Sequence, residues 1–189
     1  MKFKSLFIAM AAILFAAVPS YAQQKEEESA STTLQFMKTS GSFLVKEFYD
    51  LATIKGVECK VLIITDVVSG TKMGCMRLET TYRSSYNSSP DTYIGTLDYD
   101  ELDACIRSLN YLNDNLLPNQ KETYTEAEYK SRDKVTIGAF FDEDKKAWTA
   151  YVQTKSYTSR SMKFFDSDNL KALSAEMEKA QTMIKEKTK

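Results

Sequence analysis

The chain has no histidine in 189 residues. This removes the commonest general base and the commonest metal ligand together, so Ser-His-Asp hydrolases, Cys-His hydrolases and histidine-bearing zinc sites are excluded by composition. Cysteine is scarce. Cys59, Cys75 and Cys105 form an odd set, which allows at most one internal disulfide and one free thiol, so the core rather than a disulfide framework must supply stability. Charge of one sign is also lacking. With 25 basic and 26 acidic residues the net charge is −1, without the basic surplus expected of a nucleic-acid binder. After the first two dozen residues no apolar run is long enough to span a bilayer. Apolar and aromatic side chains are plentiful: hydrophobic residues make up 43%, with 10 Phe and 11 Tyr, enough for a sizeable core.

The N-terminus has the three parts of a cleavable secretory signal. Lys2 and Lys4 precede an apolar run from Leu6 to Val18, and small residues stand at Ser20 and Ala22. Residues 1–22 are therefore expected to be a signal peptide, with the mature chain exported to the periplasm or beyond the cell. No Cys follows the apolar run, so a lipoprotein anchor is not indicated. The Tyr21-Ala22-Gln23 junction before a polar, acidic start resembles the signals of Bacteroides-type bacteria. Residues 23–32 are polar and without periodicity, and read as a flexible leader. Leu34 to Ser42 reads as an extra strand or arm.

Two segments repeat. Leu97-Asp98-Tyr99-Asp100-Glu101-Leu102-Asp103-Ala104-Cys105 and Phe165-Asp166-Ser167-Asp168-Asn169-Leu170-Lys171-Ala172-Leu173 share an apolar residue, Asp-x-Asp-x-Leu-x-Ala and a second apolar residue. Asp98 and Asp166 suit helix N-caps, and Glu101 suits the third position of a capping box. The apolar stripes behind them, Leu102, Cys105, Leu109, Leu112, Leu116 and Leu170, Leu173, Met177, Ala180, Ile184, share the spacing 3, 4, 3, 4, which places each set on one helical face.

Upstream of each helix are β-branched and aromatic runs around polar turns: 61–65 and 73–80 in the first copy, 135–141 and 147–154 in the second. Met76 and Leu78 match Ala150 and Val152 as the inward set. Arg77 and Glu79 match Tyr151 and Gln153 as the outward set. A first strand (43–54; 123–130) and a fourth (92–97; 161–165) complete each unit. The expected fold is α+β: two ββββα repeats, 33–117 and 118–189, divided near Pro118. One helix covers little of a four-stranded sheet. The units are therefore expected to pack as an intramolecular pseudo-dimer, each helix lying near the other's sheet. This element order resembles the PUR-repeat and plant Whirly classes of single-strand-binding proteins, which implies a fold and only distantly a function.

Candidate chemistry has a bland explanation at most positions. Asp142-Glu143-Asp144 lacks the glycine and later glutamate of a calcium loop and reads as a hairpin turn. The Asp98/Asp100 and Asp166/Asp168 pairs sit where caps belong. Cys105 falls on the buried stripe. Pairing through the turn sets Cys75 near Ile63 and Cys59 near Glu79, so a disulfide between these cysteines needs a bulge or a slipped register. The clear asymmetry is the loop between third and fourth strands, six residues longer in the first unit. Its Tyr82, Arg83 and Tyr86, with Tyr157 and Arg160 of the second unit, are residue types of adaptable binding loops and form the candidate ligand site. No catalytic residue, metal ligand or cofactor is assigned. The expected function is an exported, non-catalytic binding or interaction protein with an unidentified protein or ligand partner, nucleic acid being disfavoured. The alternatives are a secreted single-strand binder, hinted at by Tyr151, Lys155, Tyr157, Arg160 and Lys163, and a histidine-independent secreted enzyme.

Overall fold

A computed structural model describes residues 31–85 and 89–189. The expected signal peptide, most of the leader and Tyr86 lie outside the described residues. Two antiparallel four-stranded meanders follow one another along the chain. The first comprises β1 (Leu44–Ile54), β2 (Val57–Asp66), β3 (Lys72–Tyr82) and β4 (Asp91–Asp98), the second β5 (Thr125–Lys130), β6 (Thr136–Asp142), β7 (Ala147–Gln153) and β8 (Met162–Phe165). Three α-helices lie among the described residues: α1 (Thr32–Met37) before the first sheet, α2 (Tyr99–Tyr111) after it and α3 (Ser167–Lys187) after the second. The fold is thus α+β with two repeats. Among the described residues no helix is long and apolar enough to cross a membrane.

The turn between β1 and β2 is made by Lys55 and Gly56, both at positive φ (48° and 79°), the combination that matches the twist of a two-residue hairpin. Between β2 and β3 the register pairs Cys59 with Leu78 and Cys75 with Leu62. This is one residue from the pairing read off the sequence, and the slip matters because side chains alternate faces. Cys59 joins the main core, whereas Cys75 packs with Leu62 and Ile64 on the opposite face. The two thiols therefore lie on different sides of the sheet, and all three cysteines are free and buried.

Both amphipathic stripes are inside, except that Leu116, the last residue of the first, is half-buried in a π-helical turn beyond α2. Leu102, Cys105, Leu109 and Leu112 are at most 5% exposed, and Leu170, Leu173, Met177, Ala180 and Ile184 at most 1%. Each Leu, Ile or Met so buried contributes about 1.5–3 kcal/mol. The helices run antiparallel. Ser174 donates to Asn110 (2.9 Å) and Ser167 to Asn113 (2.7 Å), so position falls along α3 as it rises along α2. α3 lies on β1, β2 and β3, the sheet of the other unit. Its contact with β3 is closest at Gly74, where a Cβ would come within 2.7 Å of Ile184 Cγ2. The matching position in the second sheet is Trp148, whose indole donates to Asn119 O at 2.7 Å and meets Phe141 edge-on at 5.5 Å. There α2 gives way to a π-helical turn, Leu112–Leu116, before Pro118. A glycine on one sheet and a tryptophan on the other break the symmetry of the helix packing.

The seam between the units lies where matched residues meet. Thr80 and Thr154, equivalent positions of β3 and of the segment after β7, hydrogen-bond to each other at 2.8 Å while buried. The β4 edge is closed by the turn after β5: Thr96 N donates to Asp133 (2.9 Å) and Ser131 Oγ to Thr96 O (3.1 Å). The free edges, β1 and β5, carry charged residues, and β1 is bulged between Asp50 and Thr53, features that discourage edge-to-edge pairing.

One further expectation is corrected. The arm expected at 34–42 begins as a helix, and Ser31 and Thr32, assigned to the leader, form its cap and first turn. Ser31 accepts from Leu34 N (3.2 Å) and donates to Asp98 Oδ1 (2.7 Å), which buries it completely. Tyr151 and Gln153 face away from the helices as expected, and are nonetheless 6% and 8% exposed.

Candidate functional site

The five residues singled out by sequence are partly assembled. The Arg160 guanidinium lies 5.3 Å from the centre of the Tyr82 ring, and its Nη1 is 3.7 Å from Asp91. The two loops therefore meet across the seam, a few residues beyond the Thr80–Thr154 contact. Arg83 is exposed, and Tyr157, 72% exposed, stands on the second loop. Tyr86 is outside the described residues. The basic stripe suggested for single strands is dispersed by other partners. Lys155 pairs with Asp133 at 2.7 Å, Lys163 donates to Thr81 O at 2.8 Å, and Tyr151 is bound to Glu128.

The polar residues suspected of chemistry have structural partners. Asp142 accepts from Asp144 N and Lys145 N, both at 3.1 Å, and pairs with the Lys145 amine, so this acidic run is a closed turn. Asp166 caps α3 through Asn169 N at 2.9 Å. Asp98 does more than the cap expected of it. Glu101 accepts from Asp98 N at 2.9 Å, completing one half of a capping box. The Asp98 carboxylate itself, 2% exposed, accepts from Ser31, from the Thr32 amide (2.7 Å) and hydroxyl (3.0 Å), and from Thr33 N (3.3 Å), and pairs with Arg132 at 3.0 Å. Burial pushes its pKa up, but the hydrogen bonds from Thr33, Ser31 and Thr32 outweigh burial and hold the carboxyl below the usual range. Arg132 also engages Asp100 and Glu101, so one cluster fastens α1, the first unit and the second unit. Nothing in the local sequence signals it, since its members are far apart in the chain.

The thiols are not poised for reaction. Burial pushes Cys59 and Cys75 up to about 12, and Cys105 higher still, so none is a thiolate near neutral pH.

The feature best suited to hold a ligand is a groove of about 530 Å³ between α2 and the β5–β6 side of the second sheet. Its accessible apolar lining is Tyr111, Leu116, Ala127 and Tyr129, with the buried Leu109, Leu112 and Ile137 behind them. Arg107 and Ser108 stand on its helical rim, both exposed, with Arg107 paired to Asp103 one turn earlier. Tyr129 closes one end, its hydroxyl donating to Glu101 O at 3.2 Å. Trp148 is not among the residues that line the groove; its indole meets Asn119, beyond the end of α2. α3 reaches its sheet at Gly74, whereas α2 has no such glycine to settle against. The stripe residues were legible as core. The groove they back was not, because it depends on how far the helix stands from strands that follow it in the chain. Compared with protein-family models, curated proteins and solved structures, the chain matches none.

Proposed function

We propose that the chain is an exported, non-catalytic binding protein that holds a small amphipathic molecule in the groove under α2. The observation that carries this reading is the groove itself. Its volume of about 530 Å³ falls within the range of small-molecule sites, roughly 300–1,000 Å³, and it joins an apolar floor to a few polar groups at the rim. Tyr111, Leu116, Ala127 and Tyr129 suit an alkyl or ring body. The Arg107 side chain, 68% exposed and held only by a surface ion pair, can turn to an anionic head. The seam loops are a second candidate surface, with Tyr82 and Arg160 in contact and Arg83, Tyr86 and Tyr157 on the same two loops. The PUR and Whirly likeness suggests single strands as ligands. The dispersal of Lys155, Lys163 and Arg160 among protein partners favours a small molecule instead.

Calorimetric titration with dodecanoate, compared with an Ala104→Trp variant, tests the groove. Ala104 lies on its wall and is not fully buried, so the indole should fill the groove at little cost to the fold. The expected result is saturable binding by the native chain and about tenfold or greater weakening in the variant, a loss of about 1.4 kcal/mol or more. Equal binding by both proteins would assign the ligand to another surface.

A further inference from the structure

The outer faces of the two sheets are matched in position but not in cover. On the first sheet, Leu62 pairs with Cys75, and both are buried under Phe36 and Met37 of α1. On the second sheet, Phe140 pairs with Thr149 in the same relation. No α1-like helix precedes the second sheet, and the segment from Pro118 to Tyr124 runs directly into β5. In place of a helix the face carries one ring from β6, one from β7, one from β8 and one from just before β5. Tyr151 reaches across Gly138, its neighbour on β6, to donate to Glu128 on β5. Phe140 lies 6.3 Å from Tyr151, and Tyr124 stacks on Phe140 at 6.4 Å and 29°. Phe164 is the direct cross-strand neighbour of Tyr151. Tyr124 and Phe164 remain 56% and 60% exposed.

We propose that this face docks a short amphipathic segment of a partner protein, bearing an apolar side chain for the rings and a lysine or arginine for Glu126 and Glu128. Three observations favour this occupant. The equivalent face within the same chain is covered by a single six-residue helix, which sets the size and apolar character of what fits. Charge is complementary: aromatic faces are electron-rich, the hydroxyls of Tyr124 and Tyr151 are turned to carboxylates, and of the four charged strand residues on this face, Glu126, Glu128, Lys130 and Asp142, three are acidic, Lys130 being paired to Glu128 at 2.7 Å and Asp142 to Lys145 at 2.8 Å. Area argues against a second copy. Four strands about 4.8 Å apart and four to seven residues long present roughly 300 Å², well under the roughly 800 Å² per partner of a stable interface.

The test is panning of a random dodecapeptide library on the native chain, with each enriched peptide remeasured on Glu126→Lys and Phe164→Ser variants. Both positions are exposed, and an unchanged melting temperature confirms that each variant is folded; Tyr124→Ser replaces either one that is not. The expected peptides combine a cationic residue with an aliphatic or aromatic residue one helical turn away, and bind the variants about tenfold or more weakly. Acidic consensus peptides, peptides that bind native and variant proteins equally, or no enrichment at all would each overturn the proposal. Glu128 borders both surfaces, but Glu126, Phe164 and Tyr124 do not line the groove, so dodecanoate binding should be the same in native and variant proteins.

Discussion

Asp98 is a helix cap by sequence and a three-way fastener in the structure. Removing one member of a buried, hydrogen-bonded ion pair leaves the other uncompensated, and Asp98→Ala should cost about 3–5 kcal/mol of unfolding free energy, measured by urea denaturation. A loss below about 1 kcal/mol would show the cluster to be incidental. The sign of its pH dependence follows from the lowered carboxyl pKa. The stabilisation is fully present above the unfolded value of about 3.9 and is lost as pH falls through the lower folded value. The melting temperature of the native chain should therefore fall more steeply below about pH 4 than that of Asp98→Asn, and parallel curves would contradict this. Tyr82 presents the opposite case. Its contact with Arg160 is exposed, a cation–π pairing worth about 0.5–1 kcal/mol, so Tyr82→Ala should barely move the melting temperature while removing a ring from the seam loops.

At the scale of elements, Gly74 and Ile184 set how closely α3 meets the first sheet. Gly74→Val would drive two methyls into Ile184 and Ile63, and an overpacked core of this kind costs about 1–3 kcal/mol. A neutral outcome in thermal unfolding would mean that α3 stands further off. The helices, their caps and their buried stripes were legible because each is written locally, in a 3, 4, 3, 4 spacing behind an aspartate. The strands were legible in order but not in register. The shift at Cys59 and Cys75 is set by the turn at 67–71, where Asp66 accepts from Val68 N and Ser69 and Gly70 adopts φ 72°, geometry that residue counting does not fix. α1 was not legible at all. Six residues make a marginal helix, and this one exists because Asp98, more than sixty residues away, binds its first turn and Leu62, Ile64 and Cys75 take its apolar face.

At the scale of the molecule, duplication accounts for the plan and its breakage accounts for the candidate sites. Two matched threonines touch at the seam, two antiparallel helices share one interior, and α3 covers the sheet of the other unit. Where the copies differ, surface opens: the groove lies beside α2 and not beside α3, and a second sheet without an α1 leaves the aromatic face uncovered. The long loop of the first unit was visible in the sequence, whereas these two differences required knowing which sheet each helix covers. The seating of α3 on the first sheet is the central claim, and nuclear Overhauser contacts of the Ile184 methyl groups in the native chain test it directly. Cross-peaks to Gly74 and Ile63 of the first sheet are expected. Cross-peaks from Ile184 to Trp148 and Ala150 of the second sheet, with none to Gly74, would contradict it.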